Sequence, residues 1–89
     1  EEAHSNGLVN HVTPQEELLP LAQKIAEKIM RNSSVAIGHA IKAVNDNFND
    51  GVNGYQTEIK HFGICFGTED FKEGVKAVAE RRPGNFVGR

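Results

Sequence analysis

The sequence predicts a mainly α-helical chain, on three observations. Apolar residues recur at three- and four-residue spacing through four stretches, near residues 21–30, 37–48, 55–66 and 71–78. Helix-start signals precede three of them: Thr13-Pro14-Gln15-Glu16, Ser34 and Thr68-Glu69-Asp70. Breakers separate and close them: Asn32-Ser33-Ser34, the run from Asn45 to Gly54, Gly67 and Pro83-Gly84.

Taken in order, Glu1 to Asn6 suit the last turn of a helix, with Gly7 at the left-handed position past its end. The chain has no methionine at its start and reads as one already under way. Leu8, Val9 and Val12 suggest a short extended link, too short for a stable strand without neighbours. Thr13 is placed to cap the next helix, Pro14 suits the first helical position, and Glu16 completes a capping box. Pro20 lacks an amide donor and crowds the turn before it, so a short first turn and a restart near Pro20 are expected. Leu21, Ala22, Ile25, Ala26, Ile29 and Met30 then form one apolar face, opposite Gln23, Lys24, Glu27 and Lys28.

Ser34 is the expected cap of the following helix, whose stripe is Ile37, Ile41, Val44 and Phe48. Ala36, Ala40 and Ala43 lie beside that stripe, and Gly38 suggests tight helix packing. A helix from Gly54 to about Phe66 carries Tyr55, Ile59, Phe62 and Phe66 on one side. Gly67 stops it, and Thr68 caps the last helix, with Glu69 and Asp70 at the positive end of its dipole. Phe71, Val75 and Val78 are its expected buried residues. Arg81 and Arg82 sit in its last turn, where cations are favoured, and Pro83-Gly84 ends it.

Composition excludes several classes of function. Eighty-nine residues make one small domain or a piece of a larger one. With 38% apolar and 7% aromatic residues, the core is thin, and some apolar faces are expected to meet a partner. A net charge of −2 leaves no electrostatic footprint for nucleic acid. No apolar run is long enough for a membrane span, and no signal peptide is expected. The single cysteine, Cys65, has no internal disulfide partner, which fits a reducing compartment.

Candidate chemistry is sparse. His4, His11, His39 and His61 show no ligand spacing and no cysteine companions, so a solvent-facing or capping role is expected and no metal site. Cys65 reads as a small buried hydrophobe. Glu16, Glu69 and Asp70 are explained by capping, and Glu73 is expected to pair with Lys72 or Lys76. No carboxylate pair stands out as an acid–base couple, and no glycine-rich phosphate loop is present. Arg81-Arg82 fits either helix-dipole complementarity or a phosphate contact through forked guanidinium groups. Phe62 fits either a core aromatic or the wall of an adenine or acyl-chain pocket.

In order and spacing, the motifs resemble the C-terminal region of the crotonase family, the enoyl-CoA hydratases and isomerases. The residues that carry the resemblance begin with Glu2-Ala3, Gly7-Leu8-Val9-Asn10, Val12 and Pro14 through Leu18. The Ala22-Ile25-Ala26 and Ala40-Ile41-Lys42 helices follow. Gly54 with Glu58, Phe62, Phe66, Thr68-Glu69-Asp70, Glu73-Gly74, Glu80-Arg81-Arg82-Pro83 and Phe86 complete it. The resemblance covers essentially the whole chain; each piece alone is weak.

The resemblance implies the C-terminal helical, trimer-building region of a crotonase-like α/β spiral fold. Residues 1–12 would be the tail of the spiral core, and residues 13–89 the helical assembly region. It implies a parent enzyme acting on acyl-CoA thioesters, most simply by adding water to a trans-2-enoyl-CoA. The parent would be a homotrimer or a dimer of trimers, cytoplasmic or in the mitochondrial matrix, without a prosthetic group and with coenzyme A as part of its substrate. The oxyanion-hole amides and catalytic glutamates of the family lie upstream of Glu1, so no catalytic residue is assigned in this chain. Phe62 and Arg81 fall at positions that approach the CoA moiety in the family. Val78 stands where phenylalanine is common, which implies one aromatic wall fewer; Arg81 stands where lysine is common and keeps the charge. The amphipathic stripes also permit another class of function, a free-standing helical module that self-associates without catalysis.

Overall fold

A computed structural model describes all residues, Glu1 to Arg89. Every regular element is a helix: α1 (Glu2–Ser5), α2 (Gln15–Met30), α3 (Ser34–Asp46), α4 (Gly54–Cys65) and α5 (Glu69–Ala79). α1 is a single turn, and Gly7 past its end takes φ 74°, the left-handed conformation the sequence predicts.

α2 departs from expectation at its start. Thr13 does not cap it; Pro14 occupies the N-cap position and no side chain caps the first turn, so the capping box is not formed. Nor does the helix break and restart at Pro20, which lies inside a continuous helix. The missing amide of Pro20 would have met the carbonyl of Glu16, in the first turn. Glu16 is exposed, so water can satisfy that carbonyl.

The next three helices have side-chain caps. Ser33, one residue before the expected Ser34, accepts from the Ala36 amide at 3.3 Å. Asn53 accepts from Gln56 at 3.2 Å at the start of α4. Thr68 caps α5 as the sequence predicts, accepting from Phe71 at 3.1 Å while its hydroxyl donates to the Cys65 carbonyl at 2.7 Å. The α4–α5 corner is thereby closed on both sides by one side chain. Phe66 spans the corner: its ring centroid lies 5.1 Å from Phe62, edge to face, and 4.3 Å from Phe71.

The helices form a slab rather than a ball. The Cα radius of gyration is 16.8 Å, with extents of 43 × 40 × 18 Å. A compact domain of this length would have a radius near ~12 Å. α3 packs along α4, and no other pair of helices makes more than incidental contact. Consequently the buried set is small: Ala77, Ser33 and Asp70. Val75 and Val78, expected inside, are exposed, Val78 at 80%. Ile25, Ile29, Ile41, Val44, Phe48 and Ile59 likewise present their apolar stripes to solvent. Gly38 is not a close-packing site, since a Cβ there would meet nothing within 4 Å.

Candidate functional site

The groove between α3 and α4 has a volume of roughly 660 Å³ and is lined by residues that include His39, Tyr55, Glu58, His61, Phe62 and Cys65. Helical spacing explains the α4 set: Tyr55, Glu58, Phe62 and Cys65 follow at three- and four-residue intervals and share one face. Phe62 is 66% exposed. Its edge-on contact with Phe66 supports it from one side.

Two histidines that are 22 residues apart in sequence meet across this groove. The Nδ1 atoms of His39 and His61 are 2.8 Å apart. One must donate and the other accept, so the two atoms hold a single proton between them. Asp46 Oδ2 lies 3.7 Å from His61 Nε2. That carboxylate favours the His61 tautomer with its proton on Nε2, which makes His39 the donor. Sequence reasoning treated these histidines as separate; only the α3–α4 packing brings them together. No group of three or more His, Cys, Asp or Glu residues is placed to hold a metal ion.

The strongest polar construction is at the start of α5. Asp70 is 2% exposed yet fully partnered. Ser33 Oγ donates to Oδ2 at 2.5 Å, the Gly88 amide donates to the same oxygen at 3.0 Å, and the Val87 amide donates to Oδ1 at 2.8 Å. The Asp70 amide in turn donates to the Arg89 carbonyl at 2.9 Å. The Ser33 hydrogen bond, joined by the tail amides and opposed by burial, holds the Asp70 carboxyl below the usual carboxylate range. Asp70 thus clasps the C-terminal tail to α5 and ties both to the α2–α3 junction. Gly88 fits this clasp at φ 85°, where a Cβ would come within 2.8 Å of Ser34 Oγ. Local rules account for Asp70 by capping and the helix dipole alone. Its long-range partners have no signature in the sequence.

The other end of α5 bears the two arginines, and the structure gives them different tasks. Both lie past the helix rather than in its last turn, with Glu80 as C-cap. The Arg82 amide donates to the Ala77 carbonyl at 3.0 Å and the Arg81 amide to Val78 at 3.2 Å, the paired bonds of a Schellman turn. Arg81 fills the left-handed position of that turn at φ 53°, and it is the one non-glycine residue with positive φ. A side chain there costs roughly 1–2 kcal/mol.

Arg82 folds back onto α5. It forks onto both oxygens of Glu73 at 2.5 and 3.1 Å and donates through Nε to Glu80 at 2.6 Å. Glu73, expected to pair with Lys72 or Lys76, pairs with Arg82 instead and also accepts from the Asn85 amide at 2.8 Å. The Arg82 bonds, with help from Asn85, lower the Glu73 carboxyl from 4.5 to about 2, and Glu73 and Glu80 push the Arg82 guanidinium up. Arg81, by contrast, is exposed, and its side chain makes no hydrogen bond or ion pair within the chain. Of the two arginines, only Arg81 is free to meet an anion. Phe62 lines the α3–α4 groove, whereas Arg81 does not.

Known proteins resemble this chain along its whole length. The family model for enoyl-CoA hydratase/isomerase matches residues 1–89. A crotonyl-CoA hydratase of Syntrophomonas wolfei is 38% identical over 90 residues, covering 100% of this chain and 35% of that protein. A probable mitochondrial enoyl-CoA hydratase of Dictyostelium discoideum is 43% identical over 82 residues, covering 91% of this chain and 30% of that protein. The crystal structure of an enoyl-CoA hydratase from Bacillus anthracis superposes with a TM-score of 0.90 at 33% identity, over 99% of this chain and 34% of that one. The chain therefore spans about a third of the length of the relatives it matches. Its fold is that of the helical third of those crotonase-fold proteins. The chain belongs to the enoyl-CoA hydratase/isomerase family.

Proposed function

We propose that this chain is the C-terminal assembly and coenzyme-contact region of an enzyme that hydrates trans-2-enoyl-CoA to 3-hydroxyacyl-CoA. The observation that carries this reading is the match to the family along the full chain, with a crotonyl-CoA hydratase among the relatives. Residues 1–12 form the end of the catalytic core and its link, and residues 13–89 the helical region that builds a homotrimer or a dimer of trimers. The exposed stripes of α2, α3 and α4 support that assignment, since faces this apolar need covering. The catalytic glutamates and the oxyanion hole lie in the remainder of the enzyme. Coenzyme A enters as part of the substrate, and no prosthetic group is needed. Phe62 walls the adenine or acyl pocket, and Arg81 meets a CoA phosphate. No helix is long and apolar enough to cross a membrane; the cytoplasm or the mitochondrial matrix suits such an enzyme.

Hydration of crotonyl-CoA and of a longer enoyl-CoA by the full-length enzyme tests the reading. Loss of the enoyl thioester absorbance is expected, and absence of thioester chemistry on any acyl-CoA would sink it. Residues 1–89 alone are expected to give no turnover. Charge reversal, Arg81→Glu, is expected to raise KM for crotonyl-CoA more than it lowers kcat, as loss of uniform binding does. An unchanged KM would remove the phosphate contact.

A further inference from the structure

The unusual feature of the α5 terminus is that a long cation occupies a backbone position that glycine fills at no steric cost. Arg81 holds φ 53° with a free side chain, while its neighbour Arg82 is committed to Glu73 and Glu80. A strained φ persists only where its surroundings over-determine it. Here the surroundings are identifiable. Glu73 lies two helical turns before the strained residue, receives both Arg82 nitrogens, and also receives the Asn85 amide from beyond Pro83. It therefore grips the chain at two points just past Arg81. With residues 82 and 85 tied to α5, the Schellman turn that sets Arg81 at φ 53° is held closed.

We propose that Glu73, acting through Arg82, is a positioning residue that holds Arg81 in its left-handed setting and so presents the Arg81 guanidinium to the phosphates of coenzyme A. This rests on the reading of Arg81 as a CoA-phosphate contact. Glu73 touches no substrate in this account. Its effect is confined to ligands that carry the phosphates.

The test uses the full-length enzyme and two substrates: crotonyl-CoA, and the crotonyl thioester of N-acetylcysteamine, which lacks the nucleotide and its phosphates. Glu73→Gln keeps the size of the side chain but removes the charge-assisted fork. It is expected to raise KM for crotonyl-CoA roughly fivefold, as coupled contacts of this kind do, with kcat unmoved and KM for the truncated thioester unmoved. In an Arg81→Gly background, Glu73→Gln is expected to add nothing, because glycine takes the left-handed turn unaided and carries no cation. If Glu73→Gln fails to fold, Arg82→Lys, which keeps the charge but loses the fork, must show the same split. Equal impairment on both substrates, or an undiminished effect of Glu73→Gln in the Arg81→Gly background, would overturn the positioning role and leave the phosphate contact standing. An unchanged KM for crotonyl-CoA in Arg81→Gly alone would overturn the contact itself and the positioning role with it.

Discussion

At the scale of single residues, Asp70 is the side chain whose loss would be felt furthest. Its carboxylate accepts one hydroxyl and two amides in a site closed to water, and three separate segments depend on it. Asp70→Asn turns one acceptor oxygen into a donor facing donors. Residues 86–89 are expected to exchange their amides faster in that variant, and the thermal midpoint to fall; hydrogen-exchange mass spectrometry and a melting curve check both. Acid should reproduce the effect in the wild type. Both clasping carboxyls are depressed, Asp70 below 3.8 and Glu73 from 4.5 to about 2. A depressed carboxyl stabilises fully above its unfolded value, and that contribution is lost as pH falls through the folded one. Tail protection is therefore expected to be constant above pH 4.5 and to decline between there and about 2. Constant protection down to the lower limit would refute the linkage.

At the scale of elements, the chain is an α3–α4 pair with α2 and α5 set beside it. The His39–His61 bond, with Asp46 beside the far nitrogen of His61, ties that pair together by polar contact. His61→Ala is expected to destabilise the pair by about 1 kcal/mol. Combined with His39→Ala, it should show non-additivity in a denaturant double-mutant cycle. Additive losses would mean that the bond contributes nothing. Most of this level could be read from the sequence, because its causes are local. Thr68 marks the α4–α5 corner by side-chain reach, and four helices follow from apolar spacing. The structure departs from expectation where local rules compete. Pro20 argued for a break, yet its lost bond falls in an exposed first turn, where water replaces it. Ser33 and Ser34 are equally good caps by type, and the tie to Asp70 accompanies the choice of Ser33. The His39–His61 contact and the Glu73–Arg82 fork were illegible, since each depends on how two segments fold together.

At the scale of the whole molecule, the slab leaves twenty large apolar side chains exposed, among them Phe48, Tyr55, Ile59 and Phe62. Surfaces of that kind are stable in water only when something covers them. The 89-residue chain by itself is expected to self-associate or to lose order in part. Sedimentation velocity should show mass rising with concentration, and a rigid monomer with one two-state unfolding transition would contradict this. Val75 and Val78 follow the same logic: periodicity identified an apolar face but not which molecule buries it.

The clasp at Asp70 also dictates an order of events in time. The ribosome makes Ser33 first, Asp70 37 residues later, and Val87 only 17 residues after that. The α3–α4 pair can settle while synthesis continues, because both of its helices have emerged by Cys65. The start of α5 must wait longer, since its buried carboxylate lacks two of its three donors until Gly88 has left the ribosome. Locking of the α2–α3 junction against α5 therefore follows the pairing of α3 with α4, and a chain cut before Val87 leaves Asp70 without two of its three donors.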